Sequence, residues 1–545
     1  MRSEAVIGSP AAGGSPEAAA PALLRRIAPA KGVLAALLTA FVIAGSWLIV
    51  APRSPDLAAQ AYREQMFLRF GWMIWDNNWY GGHHMPGYSL LYQPLGALLG
   101  MRTLGALAVL CSAGIFAVIA TISFGPKTTP ASVFFAAAAC GDLWIGRLTF
   151  ALGVTFALAA VLCLLRGRSR PLIVLAVLFS ALSAASSPVA GLLLALAGAT
   201  DVLARHRLRP GLLLILPVLI VLLPLEGLFP EGGFEPFPAS SLLASLAVAL
   251  AFLYAVPARE RLLRVGGALF VAIDLLCLLP TPMGSNVVRY AVLLAGPLLL
   301  CAYARTPRRR PIAVSLACLA GIAFWVAWGP VTQTETVLNE PSTRASYYEP
   351  LERFLASLPA EPRRIEVPFT RAHWDAAYLA LHNVLARGWE RQLEKRFDEP
   401  VEADPLRPSI YRRWLDANAV SYVALPDAPL DGSSAGEARL IRQKPRFLRE
   451  VFKSAHWRVF AVVHPTPLAE GPGRLIGLTH EDFVLRAKRR GAFLVRVHYT
   501  PYWTVVDGAG SVREAHGDWT EVDVQRRGLV VVAPRFTLAG VLRLL

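Results

Sequence analysis

Long apolar segments separated by short polar joints fill the chain from about residue 32 to Gly329. Few folds accommodate this pattern, because soluble domains usually contain about a quarter charged residues, whereas this chain has 17% charged and 55% hydrophobic residues. A segment of about 20 apolar residues is long enough to cross the hydrocarbon core of a bilayer. After Gly329 charged residues recur every few positions. The sequence therefore predicts an α-helical polytopic membrane half followed by a soluble half.

We predict about eleven transmembrane helices in residues 31–329. Residues 1–30, rich in Ala, Gly, Pro and Ser, are expected to form a disordered cytoplasmic N-terminus. The first apolar segment exceeds the core of a signal peptide, so we expect it to remain as the first helix. The predicted spans are 32–51, 103–124, 130–145, 148–165, 171–187, 188–203, 211–228, 240–256, 265–279, 288–304 and 311–329.

Arginine clusters occur in every second joint between these spans. The intervening joints, such as 229–239 and 280–286, contain neither Arg nor Lys. The positive-inside rule places the arginine-rich joints and the N-terminus in the cytoplasm, and so places the soluble half outside a plasma (inner) membrane. The net charge of +16 is thereby explained without nucleic acid, since no base-reading motif accompanies it. The arginine-rich joints are 166–170, 205–209, 259–264 and 305–310.

The soluble half divides into two expected regions. Residues 340–470 alternate helix-like and strand-like segments, which indicates an exoplasmic α/β region. Residues 482–545 contain short strand-like segments with turn signals between them, which is typical of a small β-sandwich. All six cysteines lie in apolar segments of the membrane half, so no disulfide framework is predicted.

The loop after the first span, residues 53–87, is too long for a simple connection. A Ser-Pro start signal predicts a surface helix at 56–70. Asp56 lies in the first turn of this helix, where a negative charge stabilises the helix dipole without any further role. It also lies where lipid and water meet, and there a carboxylate can act as a general base. Asp76 is the competing catalytic candidate, although its Asp-Asn-Asn sequence is equally typical of a turn.

Other polar residues on the same side of the membrane are candidates for substrate binding. His83 and His84 are adjacent, so they cannot readily converge on one metal ion, and we expect hydrogen bonding or substrate contact instead. Glu231 and Glu235 lie in an outer loop rich in Gly and Pro and are candidate acceptor contacts.

Charged residues at membrane depth cost several kcal/mol unless they are paired or hydrated, so they too are functional candidates. Arg147 and Arg289 lie near the outer ends of their predicted helices, where either can bind a lipid phosphate. Two other roles explain the positions of Arg147 and Arg289 equally well. They can pair with Asp142 or Asp274, or extend their side chains to the headgroups.

The arrangement resembles the GT-C superfamily of membrane glycosyltransferases, which use polyprenyl-phosphate sugars as donors. The shared features are an acidic residue just after the first helix, a long first outer loop with a surface helix, about eleven spans and an exoplasmic C-terminal domain. Trp75-Asp76-Asn77 followed by Gly81-Gly82 is also similar to first-loop sequences of related bacterial proteins. The resemblance implies that Asp56 is a catalytic base or a metal ligand. No Asp-Asp or Asp-x-Asp pair is present at this position, so the sequence leaves open whether a divalent cation is needed.

The resemblance implies transfer of a sugar from a lipid-linked donor to a glycan or lipid acceptor of the cell envelope, with Asp56 as general base and Arg147 or Arg289 at the leaving phosphate. Two alternatives stay open. One is a multi-pass transporter or flippase, although no internal repeat of the kind many transporters have is visible. The other is a non-catalytic assembly protein whose outer domain binds a glycan. The sequence does not indicate an oligomeric state, and its preference for Arg over Lys is typical of a GC-rich bacterial genome.

Overall fold

The computed structural model describes the backbone of residues 19–305 and 312–544, with side chains over residues 31–305 and 313–544. The first half is helical, as the apolar segments predict, and two of its helices lie within the first loop and the segment that follows it. The helices are α1 (Ala19–Val50), α2 (Pro55–Phe70), α3 (Tyr92–Leu99), α4 (Met101–Phe124), α5 (Thr129–Ile145), α6 (Leu148–Arg166), α7 (Arg170–Ser186), α8 (Pro188–Arg205), α9 (Leu208–Leu228), α10 (Ala239–Ala255), α11 (Arg261–Leu276), α12 (Val288–Arg305) and α13 (Ile312–Val337).

The described helices include 7 that are long and apolar enough to cross a membrane, namely α1, α4, α6, α8, α9, α12 and α13. Helices α5, α7 and α10 are apolar but shorter. The predicted class, a polytopic helical region followed by a sheet-rich domain, is confirmed, while the count of eleven spans stays a prediction.

Helix α1 begins at Ala19. Part of the stretch that the sequence assigned to a disordered terminus is therefore helical, because its Ala and Leu residues favour continuation of the helix. Residues 1–18, which belong to the same expectation, lie outside the described part of the chain.

The joints of the helical bundle separate into two groups, one at each end. At one end Arg261 Nη2 lies 2.9 Å from His206 Nε2, so two arginine-rich joints that are distant in sequence come together. Helix α11 runs from there to the other end, where Gln392 of the C-terminal domain donates a 3.2 Å hydrogen bond to the Pro282 carbonyl. The arginine-rich joints 205–209 and 259–264 thus lie at the end of the bundle opposite to the C-terminal domain. Which end faces the cytoplasm stays a prediction.

The first part of the C-terminal domain is a five-stranded sheet with helices packed against it. The strand order is β4-β3-β5-β7-β6; β3 pairs in parallel with β4 and β5, whereas β7 is antiparallel to β5 and β6. This mixed sheet agrees with the predicted α/β region. Its elements are α14 (Ala345–Ala356), β3 (Arg364–Glu366), α15 (Trp374–Tyr378), β4 (Val384–Leu385), α16 (Arg391–Phe397), α17 (Pro408–Ala417), β5 (Val420–Pro426), α18 (Ala435–Arg442), β6 (Leu448–Lys453) and β7 (Trp457–Val462), and they follow the first-loop strands β1 (Trp75–Asp76) and β2 (His83–His84).

The second part is a β-sandwich of two four-stranded antiparallel sheets, in the orders β12-β15-β10-β9 and β13-β14-β11-β8. It begins at Ala469, before the predicted boundary at residue 482, because β8 pairs with β11 and β9 pairs with β10. Its elements are β8 (Ala469–Glu470), β9 (Gly473–Leu478), β10 (Phe483–Ala487), β11 (Gly491–His498), β12 (Trp503–Asp507), β13 (Gly510–Glu514), β14 (Trp519–Val524), β15 (Gly528–Pro534) and α19 (Leu538–Leu542).

One residue of the sandwich core comes from the membrane half. Trp75, in the first loop, is buried among the apolar side chains of the sandwich, and its ring centroid lies 5.7 Å from that of Trp503. Asn77 continues this contact, because its backbone N–H donates a 2.7 Å hydrogen bond to the His480 carbonyl. The first loop therefore fixes the sandwich over the helical bundle.

Candidate functional site

The corner between α5 and α6 packs directly against the first turn of α2. Gly146 ends α5 with a φ of +96°, in the left-handed region that favours glycine. A Cβ at this position would lie 2.5 Å from Ser54 Oγ and 2.7 Å from Leu57 N. Only a residue without a side chain permits this approach, and the approach sets the next residue, Arg147, beside Asp56.

Asp56 and Arg147 form the centre of the candidate site. Arg147 Nε lies 3.3 Å from Asp56 Oδ2. Pro55 opens α2, so Asp56 lies in the first helical turn, where the backbone dipole favours a carboxylate. The side chains of Asp56 and Arg147 keep 30% and 24% of their surface exposed. The two predicted residues are therefore brought together, and both remain accessible to a ligand.

Arg289 supplies a second guanidinium close to this pair. The charges of Arg147, Asp56 and Asp142 all act on it. Its Nε is buried and makes no hydrogen bond within the described part of the structure, and its Cζ lies 5.6 Å from the Phe150 ring centroid. An unsatisfied buried donor costs about 1–3 kcal/mol. An anionic group bound here would satisfy it.

Tyr88 contributes a phenol to the same neighbourhood. Burial raises the pKa of Tyr88 to about 12, with Asp56 adding to the increase and with Arg63 and Arg289 opposing it. The Arg63 guanidinium lies 4.2 Å from the Tyr88 ring centroid. Tyr88 is therefore a neutral hydrogen-bonding group beside the Asp56–Arg147 pair.

Glu235 brings the loop between α9 and α10 to the site. Ser285 Oγ donates a 3.0 Å hydrogen bond to Glu235 Oε1. Burial raises the pKa of Glu235, while that hydrogen bond and the charges of Arg289 and Arg391 lower it. Arg391 belongs to the C-terminal domain, so this carboxylate lies between charges of the membrane half and of the C-terminal domain.

The C-terminal domain also contacts the chain on both sides of Asp56. Trp374 Nε1 donates a 2.9 Å hydrogen bond to the Arg53 carbonyl, and Trp389 Nε1 donates one of 3.0 Å to the Pro55 carbonyl. Further along α2, Arg63 Nη2 lies 2.5 Å from Glu390 Oε2. These contacts fix the start of α2, and with it the direction of the Asp56 side chain.

Asp76 lies elsewhere and is fully buried. Its carboxylate accepts a 2.8 Å hydrogen bond from Tyr62 Oη and a 3.1 Å bond from the backbone N–H of Asn78. Burial raises the pKa of Asp76 to about 7, although these two hydrogen bonds and Arg63 lower it. The structure thus places Asp76 in a closed turn of the first loop, apart from the Asp56–Arg147 pair.

His83, His84 and Glu231 lie between the first loop and the surrounding domains. The His83 ring stacks on Trp79 with a centroid distance of 5.5 Å, and burial lowers the pKa of His83 well below its usual value. His84 Nδ1 lies 3.2 Å from Glu231 Oε1 and His84 Nε2 lies 3.1 Å from Thr500 Oγ1 of the sandwich. In this arrangement His84 and Glu231 join the loops to the sandwich; their predicted contact with substrate stays a prediction.

Sequence reasoning selected Asp56, Arg147 and Arg289 but did not single out Tyr88 or Arg391. Tyr88 is the last of several aromatic residues in the first loop, and this position was its only indication of a role at the site. Arg391 lies in the C-terminal domain, where nothing local in the sequence indicates proximity to Asp56. Asp274, the other membrane-depth carboxylate proposed as an arginine partner, instead accepts a 3.2 Å hydrogen bond from Ser245 Oγ.

Positive charge at the candidate site comes from arginine side chains. Within the described ranges, no group of three or more His, Cys, Asp or Glu side chains converges as metal ligands. Asp56 is already paired with Arg147, and a second guanidinium lies nearby, so positive charge is supplied by the protein itself. A reaction at this site can therefore use the two guanidiniums as its source of positive charge.

Comparison of the sequence with protein-family models and with curated proteins finds no match. Comparison of the fold finds solved structures with a similar arrangement. The crystal structure of ArnT from Cupriavidus metallidurans has a TM-score of 0.44 and 13% sequence identity, with 82% of this chain and 98% of that chain covered. Arabinofuranosyltransferase AftD from Mycobacteria has a TM-score of 0.42 and 16% identity, with 94% of this chain and 42% of that chain covered.

The archaeal oligosaccharyltransferase AglB from Archaeoglobus fulgidus is more distant, with a TM-score of 0.32, 13% identity and coverage of 74% of this chain and 70% of that chain. These neighbours are GT-C glycosyltransferases. All three TM-scores are below 0.5, so these likenesses do not assign a function to this chain.

Proposed function

We propose that this chain is a membrane glycosyltransferase that moves a sugar from a polyprenyl-phosphate donor to a cell-envelope acceptor at the outer membrane face. The observation that carries the proposal is the accessible Asp56–Arg147 pair with Arg289 beside it. A carboxylate and two guanidiniums next to apolar helices are suited to a substrate that combines a lipid, a phosphate and a reacting hydroxyl.

In the proposed reaction the acceptor hydroxyl attacks the anomeric carbon of the donor sugar. The new bond forms from the acceptor oxygen to that carbon as the bond from the carbon to the phosphate oxygen breaks. The electron pair leaves with the polyprenyl phosphate, and the hydroxyl proton passes to the Asp56 carboxylate. Direct displacement inverts the anomeric configuration and needs no covalent intermediate on the protein.

Arg147 and Arg289 bind the donor phosphate and stabilise the charge that develops on it as it leaves. The unsatisfied Nε of Arg289 gains an acceptor when the donor binds. Arg147 turns from Asp56 towards the phosphate at the same step, which frees the carboxylate to accept a proton. Tyr88 and Glu235 line the approach of the acceptor and position its hydroxyl groups.

Two measurements on purified protein in lipid nanodiscs test this proposal. The first is the release of polyprenyl phosphate from a panel of synthetic polyprenyl-phosphate sugars in the presence of envelope glycan acceptors. The second is the binding of undecaprenyl phosphate, the shared lipid product, which does not require the sugar to be known. We expect Asp56→Asn to slow release by about 10²–10⁴-fold, as expected for loss of a general base, while undecaprenyl phosphate still binds.

Arg289→Gln should instead weaken binding of undecaprenyl phosphate. Asp523→Asn, which alters an exposed carboxylate of the sandwich, should change neither measurement. Wild-type rates with Asp56→Asn would disprove the assignment of the base. Transport of lipid-linked sugar across vesicles without any transfer would support the flippase alternative over an enzyme.

A further inference from the structure

The chain just before the last described helix, α19, lies against the end of the membrane helix α9. Tyr502 Oη of the sandwich donates a 2.8 Å hydrogen bond to the carbonyl of Leu228, the final residue of α9. The next residue, Phe229, has its ring centroid 5.9 Å from that of Phe536, and Phe536 in turn lies 5.3 Å from Tyr502. The segment that contains α19 is therefore continuous with the apolar surface of the bundle.

Helix α19 is held on the sandwich by its glycine. A Cβ at Gly540 would lie 2.8 Å from Tyr502 Cδ1, so this face of the helix rests on the tyrosine ring. Thr537 caps the helix, since its hydroxyl accepts a 3.1 Å hydrogen bond from the Gly540 N–H. The orientation of the short helix is thus set by contacts on one side.

Three large apolar side chains of this segment are mostly exposed. Phe536, Leu538 and Leu542 are 55%, 75% and 61% exposed. Leu538 and Leu542 are four residues apart, so they share a helix face. Exposed arginines stand at both ends of the segment, at Arg535 and Arg543. Apolar side chains bordered by arginines match the boundary between acyl chains and phosphate headgroups.

We infer that residues 535–543 form a membrane contact, in which Phe536, Leu538 and Leu542 enter the lipid layer next to α9 while Arg535 and Arg543 bind its phosphates. Ile220 and Leu223 of α9 are also exposed apolar residues, so this helix has a face suited to lipid. The sandwich is then supported on the membrane at a point separate from the first loop. This inference does not depend on the proposed glycosyl transfer.

A site-specific fluorescent label distinguishes this arrangement from exposure to water. The background is a variant in which Cys111→Ala and Cys318→Ala remove the less buried native thiols. Leu538→Cys, Leu542→Cys and, as a matched control, Leu529→Cys on the exposed surface of β15 each receive an environment-sensitive fluorophore. The proteins are placed in nanodiscs whose phosphatidylcholine carries a nitroxide near the headgroup end of the acyl chain.

We expect several-fold stronger quenching at positions 538 and 542 than at 529, with a blue-shifted emission at the first two. Equal quenching at the three positions would overturn the inference, as would a water-like spectrum at 538 and 542. The second outcome would mean that the segment faces water and not lipid.

Tryptic cleavage provides a second measurement that needs no label. In nanodiscs, the bonds after Arg535 and Arg543 should resist trypsin in the wild-type protein. They should become sensitive in the double variant Leu538→Asp with Leu542→Asp. Wild-type protein cleaved as fast as the double variant would contradict the membrane contact.

Discussion

The indole N–H of Trp389 donates a 3.0 Å hydrogen bond to the carbonyl of Pro55, the residue immediately before Asp56. Trp389 also stacks on His373, with ring centroids 3.4 Å apart, so its position is fixed within the C-terminal domain. The C-terminal domain therefore holds the first turn of α2 rather than only covering it. In the proposed reaction it sets the direction of the general base.

The hydrogen bond from Trp389 can be removed while an aromatic ring is kept. Trp389→Phe should lower kcat of the proposed transfer about threefold to tenfold, because a neutral hydrogen bond contributes about 0.5–1.5 kcal/mol. Binding of undecaprenyl phosphate should be unchanged. Trp457→Phe is the matched control, since Trp457 makes a similar 2.9 Å bond to the Tyr347 carbonyl within the C-terminal domain. Equal losses of kcat in the two variants would show that Trp389 acts only through domain stability.

Gly146→Ala tests the close approach of the α5–α6 corner to α2. Its Cβ would lie 2.5 Å from Ser54 Oγ, so the corner must move and Arg147 must leave Asp56. Gly125 has the same φ of +96° but nothing within 4 Å of its Cβ position, so Gly125→Ala carries the backbone strain without the clash. We expect activity to be lost for Gly146→Ala and largely kept for Gly125→Ala, measured as polyprenyl phosphate release at matched protein amounts. Similar activity in the two variants would show that the clash does not matter.

The ion pair between Arg63 and Glu390 joins α2 to the C-terminal domain. Arg63 is fully buried, so Glu390→Gln leaves a buried charge without its partner and should destabilise the fold by about 3 kcal/mol. The double variant with Arg63→Met should recover part of the loss. Thermal unfolding in detergent measures both effects. Arg513→Gln, at an exposed pair with Glu521, should leave the midpoint unchanged. A double variant no more stable than Glu390→Gln would contradict a specific pairing.

The buried carboxyl of Asp76 makes stability depend on pH. Its pKa is raised by burial from 3.8 to about 7, so the folded protein keeps the proton at pH values where the unfolded chain has released it. The stabilising effect is complete below pH 4 and is lost as the pH rises to about 7, by a total on the order of 4 kcal/mol.

The contribution of Asp76 is isolated by the difference between two pH profiles. Thermal midpoints of wild type and Asp76→Asn should be compared from pH 4.5 to 7.5. We expect the wild-type midpoint to fall more steeply with rising pH, because the amide that replaces the carboxyl in the variant does not titrate. Asp523→Asn should reproduce the wild-type profile. Parallel curves for wild type and Asp76→Asn would show that Asp76 ionises normally in the folded protein.

The sequence predicted the class of the fold well, because bilayer thickness acts on local runs of residues. Asp56 was selected because it follows the first apolar segment, where lipid and water meet, and Arg147 because it is a charged residue near the end of a predicted helix. Their pairing could not be predicted, because it depends on the close approach of Gly146 to Ser54. The contributions of Trp389 and Arg391 could not be predicted either. More than three hundred residues separate both from Asp56 in the sequence.

The insertion of Trp75 into the core of the β-sandwich has a consequence for how the protein is made. Trp75 leaves the ribosome long before Trp503 and the other residues that surround it. Until those strands are synthesised, the Trp75 side chain has no apolar core to enter. The strands, once made, need Trp75 to complete that core. We therefore expect the sandwich to mature only after docking on the first loop, so that folding of the C-terminal domain and assembly of the candidate site are coupled in biogenesis.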